Sequence, residues 1–326
     1  TSSTPTKQRI AEIISHEIVH QWFGNLVTMR WWDDLWLNES FATFMAFKAV
    51  HHFYPEWDLW SQFLNEITNE ALETDALKTS HPIEAEVRKP SEIAEIFDEI
   101  SYNKGGSVLR MLESYLGEET FRKGLKYYLL QHQYGNATTE NLWSAFEKVS
   151  KLPVKKIMRG WTRQTGYPVV ETEIKGSKLT LSQKRFLYEQ TKGDKSKWYI
   201  PISIKTQTKN QSHLLSRKSS TINLGSSSWF KINVNQSGFF VVDYPPQVLE
   251  KLKELVRWKK LSNIDRWGIQ NDVFQLMVAG KKTLTEYLNL IEAYSNEDDY
   301  LVSADIAEKL YFIYLITSKE DFWPKI

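Results

Sequence analysis

Two histidines and a glutamate near the start of the sequence have the spacing of a metal centre. In His16-Glu17-Ile18-Val19-His20 the histidines are four residues apart, so on a helix both side chains project from one face toward a single point. That arrangement suits a zinc ion, and Glu17 would lie close enough to act on a metal-activated water without binding the metal. The alternative is a pair of partly exposed histidines that contact only neighbouring side chains.

A carboxylate in a later segment, Glu39 of Leu37-Asn38-Glu39-Ser40, is a candidate third ligand. Catalytic zinc usually keeps three protein ligands and one open position, and two histidines with one glutamate form a standard set. The alternative is a solvated helix carboxylate, but the surroundings are apolar, and an unpaired charge buried there is unfavourable. We therefore predict one zinc ion per chain, bound by His16, His20 and Glu39. The apolar side chains around Glu39 are Trp31, Trp32, Leu35, Trp36, Phe41, Phe44 and Phe47.

The elements that must hold these ligands are two helices. Thr4 as a capping residue, Pro5 in the first turn and apolar residues at helical spacing predict a helix from Thr4 to Gly24, with its apolar face buried. A second helix is predicted from Leu35 to about His52, and the intervening turn is short enough for the two to pack antiparallel. The apolar face of the first helix comprises Ile10, Ile13, Ile14, Val19, Trp22 and Phe23.

The rest of the chain divides into helical and β parts. Short alternating stretches separated by Gly, Ser and Asn begin at Val169 and predict a small antiparallel β-sandwich. Pro245-Pro246 closes this module, and helical periodicity then resumes. We predict an α+β, multidomain protein with a mainly helical domain at 1–168, a β-sandwich at 169–245 and the start of a helical domain at 246–326. Further helices expected in the first domain are Asn103–Leu116, Glu118–Tyr134 and Thr139–Lys151.

Composition narrows the classes of partner and compartment. The 41 basic and 40 acidic residues leave a net charge of +1, which gives no electrostatic reason to expect nucleic acid or an anionic membrane as partner. No apolar run approaches the roughly 20 residues that span a bilayer. The absence of cysteine fits a reducing compartment, so we predict a cytoplasmic protein whose metal is held by histidine and carboxylate side chains.

The region from His16 to Phe47 carries a dense pattern beyond the metal ligands. It includes Gln21-Trp22-Phe23-Gly24-Asn25 and Trp31-Trp32-Asp33-Asp34-Leu35-Trp36-Leu37-Asn38-Glu39. This pattern resembles the zinc aminopeptidases of the aminopeptidase N family, and Asn38-Glu39-Ser40-Phe41-Ala42 is similar to the archaeal aminopeptidases described as tricorn-interacting factors. Later segments extend the resemblance over nearly the whole chain: Ser80-His81-Pro82-Ile83, Ser101-Tyr102-Asn103-Lys104-Gly105-Gly106, Gly160-Trp161, Gly166-Tyr167-Pro168 and Asp265-Arg266-Trp267-Gly268.

The resemblance implies a fold and a chemistry. The fold would be a thermolysin-like catalytic domain, a β-sandwich and the beginning of a solenoid-like helical domain. The activity would be a zinc metalloaminopeptidase that acts on peptides with a free N-terminus. Tyr102 would donate a hydrogen bond to the oxyanion of the tetrahedral intermediate, a contact that can be worth several kcal/mol. Glu17 would take a proton from the attacking water and deliver it to the leaving amine.

The resemblance fails at one functional segment. Aminopeptidases of this family share a Gly-x-Met-Glu-Asn segment upstream of the zinc motif, whose Glu binds the free α-amino group of the substrate, and these 326 residues contain none. We also expect this chain to lack the N-terminal β domain of the family and to end, at Ile326, within the helical C-terminal domain. We therefore expect a fragment with little or no aminopeptidase activity alone, which associates with the missing N-terminal portion or with a larger proteolytic complex.

Two other functions stay open on the residues alone. A thermolysin-like zinc endopeptidase shares the metal ligands and the base, although the Trp-rich and Tyr-x-Lys-Gly segments favour the aminopeptidase. A non-catalytic fragment that binds zinc structurally shares the ligands but not the chemistry. Cleavage of N-acetylated peptides separates the endopeptidase from the aminopeptidase, and substitution of Glu17 separates a catalytic role from a structural one.

Overall fold

The computed structural model describes residues 3–189 and 193–318. Within these ranges the protein is α+β, as predicted: the first half is mainly helical with one short pair of strands, two larger sheets follow, and helices return. The helical run predicted up to 326 is described only to residue 318, and its remainder lies outside the described residues. One apolar core extends through all three parts. The assignment of these parts as separate domains with the stated boundaries remains a prediction.

The first two helices differ in how well the sequence predicted their ends. Helix α1 spans Thr4–Val19, and helix α2 spans Trp36–Phe53, one residue from the prediction at each end. The predicted extension of α1 to Gly24 is wrong, because the hydrogen bonds after Val19 tighten to i→i−3 spacing, as from the Trp22 N–H to the Val19 carbonyl at 3.0 Å. The cap is Ser3 rather than Thr4.

The prediction that the whole apolar face of α1 is buried is also wrong. Val19 and Phe23 are buried, and α1 packs against α2 on that side. The rest of the face is exposed, because the helical spacing that aligns these residues does not require a neighbour to cover all of them. The exposed members are Ile10, Ile13, Ile14 and Trp22, with 44 to 54% of each residue exposed.

Helix α2 is buried as predicted. Trp36, Phe41 and Phe44 are fully buried, and the Trp36 indole Nε1 donates a hydrogen bond to Thr139 Oγ1 at 2.8 Å. This bond ties the start of α2 to a later helix of the same part of the chain. Trp31, which was expected to share this burial, is 55% exposed in the turn before α2.

The remaining helices of the first half include two π-helical segments. Phe63–Asn69 joins α3 to α4, and Ile100–Lys104 leads directly into α5, so the predicted helix from Asn103 begins inside the second segment. Gly117, with φ of +82°, separates α5 from α6 as predicted. The bounds are Leu59–Gln62 for α3, Glu70–Asp75 for α4, Gly105–Leu116 for α5, Glu118–His132 for α6, Thr139–Ser150 for α7 and Val154–Thr162 for α8.

Nine strands are described. The short strands β1 and β2 pair with each other, and the other seven form sheets ordered β7-β4-β3-β9 and β6-β5-β8. The purely antiparallel arrangement that we predicted is wrong for one pair: β9 runs parallel to β3, because the chain crosses the other sheet before it returns. The bounds are Val27–Met29, Gly135–Ala137, Pro168–Lys175, Lys178–Arg185, Ile200–Thr206, Asn210–Leu215, Ser219–Asn223, Phe230–Ile232 and Val241–Asp243 for β1 to β9.

Helices α9 to α12 close the described part of the chain. Helix α10 packs against β9 and is buried along most of its length. None of the helices in the described ranges has the length and apolar character needed to cross a membrane. The bounds are Pro246–Arg257 for α9, Asn263–Val278 for α10, Leu284–Ile291 for α11 and Tyr300–Thr317 for α12.

Candidate metal centre

The structure brings the three predicted ligands together. His16 lies in the last turn of α1, His20 directly after it, and Glu39 in the first turn of α2. The Nε2 atoms of both histidines lie 3.5 Å from Oε2 of Glu39, and the ligand atoms of the three residues all lie within 4.8 Å of one another. Ligands about 2.0 to 2.1 Å from a tetrahedral zinc ion lie about 3.4 Å apart. The donor types and their spacing therefore fit zinc.

A backbone contact sets the tautomer of His20. Its Nδ1 lies 3.0 Å from the Phe23 carbonyl oxygen, which can only accept, so Nδ1 carries a proton and Nε2 is the ring nitrogen that faces Glu39 and would bind a metal. The turn after α1 makes this contact, and Gly24 closes it with φ of +138°. A Cβ at Gly24 would lie 3.3 Å from the His20 carbonyl oxygen, so glycine suits both the backbone angle and the space.

Electrostatics keep the carboxylate of the cluster ionised. Burial alone would raise the pKa of Glu39, but hydrogen bonds with His16 and His20 outweigh it and lower that pKa to about 2. The same hydrogen bond with Glu39 raises the pKa of His20 against the opposing effect of burial. The cluster thus offers a charged oxygen ligand at neutral pH, the form of a carboxylate that binds metals.

Glu17 and Tyr102 border the same cleft as His16, a cavity of about 470 Å³. Glu17 is exposed to this cleft and lies outside the three-residue ligand cluster. The Tyr102 ring stacks on the His16 ring, with centroids 6.2 Å apart. Burial, followed by the charge of Glu39, raises the pKa of Tyr102 far above its ordinary value, so the phenol stays protonated and can donate a hydrogen bond.

A contact between the residues next to Glu39 and Tyr102 sets their separation. Ser40 Oγ donates a hydrogen bond to the Ser101 carbonyl oxygen at 2.6 Å. The two backbones approach so closely that a Cβ at Gly105 would lie 1.8 Å from Ser40 Oγ. Ser40 and Gly105 were not predicted from the sequence to support the site, although two adjacent glycines inside a helical pattern indicate a close approach.

We expect Gly105→Ala to lower the free energy of unfolding by about 1–3 kcal/mol, the usual effect of overpacking, because the new methyl group would overlap the Ser40 side chain. Gly106→Ala is the matched control, since a Cβ at that position meets no atom closer than 3.6 Å. Urea denaturation of both variants measures the difference. Equal unfolding midpoints for Gly105→Ala and Gly106→Ala would contradict the close approach.

Two histidines at the end of one helix, a glutamate from the next and a nearby carboxylate outside the ligand cluster form the arrangement typical of a metallopeptidase. Comparison with known proteins shows a peptidase domain. Residues 1–161 match the peptidase family M1 domain, and residues 229–326 match the ERAP1-like C-terminal domain. The chain belongs to peptidase family M1, which confirms the family that the sequence resemblance predicted.

Several relatives match along nearly all of this chain. Probable aminopeptidase 2 of Sulfurisphaera tokodaii is 43% identical over 317 residues, 97% of this chain and 40% of that protein. Tricorn protease-interacting factor F2 of Thermoplasma acidophilum is 44% identical over 97% of this chain and 39% of its own length. Aminopeptidase M1 of Arabidopsis thaliana is 45% identical, with coverages of 94% and 36%. The chain thus spans at most about two fifths of the length of these curated relatives.

Proposed function

We propose that this chain carries the catalytic centre of a zinc-dependent aminopeptidase that removes N-terminal residues from peptides. The observation that carries the proposal is the convergence of His16, His20 and Glu39 beside a cleft that Glu17 and Tyr102 also border. The cluster lies within residues 1–161, which match the peptidase family M1 domain, and this match supports the proposal. Relatives named aminopeptidases support peptides with a free N-terminus as the substrate class.

His16, His20 and Glu39 would hold the zinc ion. When bound, zinc supplies Lewis acidity and an activated water. The residues are prepared for it: Glu39 is ionised, and His20 directs Nε2 toward Glu39 because its Nδ1 contacts a backbone carbonyl. Little reorganisation is needed before the metal binds, which favours affinity.

Glu17 transfers the proton in this reaction, and Tyr102 stabilises the negative charge that develops on the carbonyl oxygen. The Glu17 carboxylate takes a proton from the attacking water as the water oxygen bonds to the scissile carbonyl carbon. The protonated Glu17 then returns that proton to the amide nitrogen as the C–N bond breaks and the amine leaves. The Tyr102 phenol, which keeps its own proton, donates a hydrogen bond to the carbonyl oxygen as negative charge develops there.

The test uses the full-length natural protein. Metal analysis by mass spectrometry should find one zinc ion per chain, and a peptide with a free N-terminus should lose its first residue while its N-acetylated counterpart stays intact. Cleavage of the N-acetylated peptide would favour a thermolysin-like endopeptidase. Bound zinc without cleavage of either peptide would favour the non-catalytic zinc-binding fragment.

We also propose that the protein associates with a larger proteolytic complex. The support is its 44% identity to a relative named tricorn protease-interacting factor F2. Size-exclusion chromatography of the full-length natural protein mixed with a tricorn protease tests this partnership. Co-elution would support it, and independent elution at micromolar concentrations would contradict it.

A further inference from the structure

The π-helical segment that carries Tyr102 is held at both ends by ion pairs that lie outside the metal cluster. At its start, His81 Nε2 lies 2.7 Å from Asp98 Oδ2, with about a quarter of each side chain exposed. At its end, Lys104 Nζ lies 2.8 Å from Asp75 Oδ2, and both of these side chains are fully buried. The proposed chemistry uses none of these four residues.

Asp98 connects the first ion pair to the backbone next to Tyr102. Its Oδ1 accepts hydrogen bonds from the N–H groups of Ile100 and Ser101, each at 3.1 Å. Its carbonyl oxygen accepts a third from the Tyr102 N–H, also at 3.1 Å. One carboxylate therefore caps the first turn of the segment while its other oxygen faces His81. A change in the ion pair is transmitted directly to the turn that orients the phenol.

The Ser80-His81-Pro82 segment contacts the two carboxylates, Asp75 and Asp98, that hold the ends of the π-helical segment. Ser80 Oγ donates to Asp75 Oδ1 at 2.6 Å, and the same oxygen accepts the Gly166 N–H at 2.9 Å. The adjacent His81 holds Asp98. In the sequence this segment stands out only through the family resemblance, which implies no role for it. In the structure it fixes the Tyr102 segment from outside the cleft.

His81 lies between two hydrogen-bond acceptors. Its Nδ1 lies 2.8 Å from the Pro82 carbonyl oxygen, and its Nε2 faces the Asp98 carboxylate. Neither acceptor supplies a proton at neutral pH, so both contacts form together only when both ring nitrogens are protonated. The Asp98 hydrogen bond raises the pKa of His81, while burial and the charge of Lys104 oppose it. Burial acts to raise the pKa of Asp98, but the His81 hydrogen bond helps to lower it below its ordinary value.

These opposite shifts define a pH window in which the pair contributes to stability. The raised pKa of His81 means that its contribution is complete at acid pH and is lost as the pH rises through its folded value. The lowered pKa of Asp98 means that its contribution is present above its ordinary range and is lost as the pH falls through its folded value. Between these limits both side chains are charged.

We propose that His81 and Asp98 are positioning residues for Tyr102, an inference that rests on the proposed function. The pair holds the first turn of the π-helical segment so that the phenol remains beside His16 and Glu39. When His81 loses its second ring proton, one of its two hydrogen bonds breaks. The placement of the phenol therefore weakens as the pH rises through the titration of His81.

His81→Phe removes both hydrogen bonds of the imidazole. We expect it to lower kcat by about 10- to 100-fold, because a displacement near 1 Å can reduce a rate by about 10²-fold, while KM and bound zinc change little. His52→Phe is the matched control, an exposed histidine near the end of α2, and should leave kcat unchanged. An unchanged kcat in His81→Phe would overturn the proposal.

Asp98→Asn tests whether the hydrogen bonds made by Asp98 hold Tyr102 in place or whether only the negative charge of Asp98 matters. The Asn carbonyl oxygen can still accept the Ile100 and Ser101 N–H groups, and its amide can donate to Nε2 of a neutral His81, so both contacts of the imidazole survive without an ion pair. We expect a smaller loss of kcat than in Asp98→Ala, together with loss of the alkaline dependence on His81. Equal losses in Asp98→Asn and Asp98→Ala, with the pH profile unchanged, would overturn the proposal.

A double-mutant cycle that combines His81→Phe with Tyr102→Phe in the full-length, zinc-loaded protein tests the proposal through kcat. If His81 acts through Tyr102, His81→Phe changes kcat little once the phenol is absent. Suppose that Tyr102→Phe alone lowers kcat and that the double variant loses kcat by the product of the two single losses. That result overturns the positioning role of His81 and leaves the proposed function intact. Unchanged kcat in Tyr102→Phe alone overturns the role of Tyr102 in the proposed function. If His81→Phe does not fold, the same cycle with Asp98→Ala decides, because that substitution removes the carboxylate that His81 contacts.

Discussion

Glu17→Gln is expected to abolish hydrolysis by the full-length natural protein while one zinc ion stays bound per chain. Glutamine has the shape of glutamate but cannot take a proton from the attacking water. General acid–base catalysis contributes about 10²- to 10⁴-fold, so kcat should fall by at least that range. Zinc should be retained because Glu17 lies on the cleft but outside the ligand cluster.

Two measurements on the same preparation decide this prediction. Steady-state kinetics with a free N-terminal peptide give kcat, and metal analysis gives the zinc content. Glu56→Gln, at an exposed glutamate outside the cleft, controls for the loss of one carboxylate charge and should keep full activity. Unchanged turnover in Glu17→Gln would refute the role of Glu17 as base, and loss of zinc would place Glu17 among the ligands.

The sequence predicted the ligand cluster because each step depended on local rules. The two histidines face one point because a helix turns every 3.6 residues. Glu39 reaches them because it lies on a buried helix soon after α1, and the aromatic pattern predicted that helix. The bounds of α2 were predicted to within one residue at each end. The apolar residues of α2 recur at clear helical spacing, and Pro55 lies two residues beyond the helix. These two features leave few alternative positions for its ends.

The supports of Tyr102 could not be predicted in the same way. His81 and Asp98 are 17 residues apart and belong to no common helix or strand, so no periodicity relates them. Their contact depends on how the chain between them folds back over the start of α5. The π-helical form of Ile100–Lys104 likewise has no sequence period of its own, and such segments are often found at functional sites.

The wrong predictions about the burial of α1 and about the direction of β9 share a cause. Periodicity shows which side chains lie on one face, but the packing partner decides how much of that face is buried, and α2 covers only the side with Val19 and Phe23. Alternation likewise predicts a strand without its direction. The parallel pairing of β9 with β3 arises from the route of the chain through the second sheet, which no local pattern records.

Glu39→Ala is expected to remove zinc from the full-length protein and, with it, all hydrolysis. The substitution leaves the two histidines without the charged oxygen that completes the three-ligand set. Loss of a residue that merely supports a ligand weakens metal binding by about 10- to 100-fold, so loss of the ligand itself should weaken it by more than about 100-fold. Titration with a competing chelator measures the zinc affinity.

Glu113→Ala is the matched control for Glu39→Ala, because the two carboxylates are equally buried. The side chain of Glu113 is 14% exposed and that of Glu39 13%, and Glu113 pairs with Lys48 of α2 at 2.9 Å. Both variants remove a largely buried carboxylate that contacts a basic side chain, so both should lose stability. Only Glu39→Ala should lose zinc, since Glu113 lies outside the ligand cluster. Zinc affinity that falls equally in both variants would show that Glu39 acts through the packing of α2 rather than as a ligand.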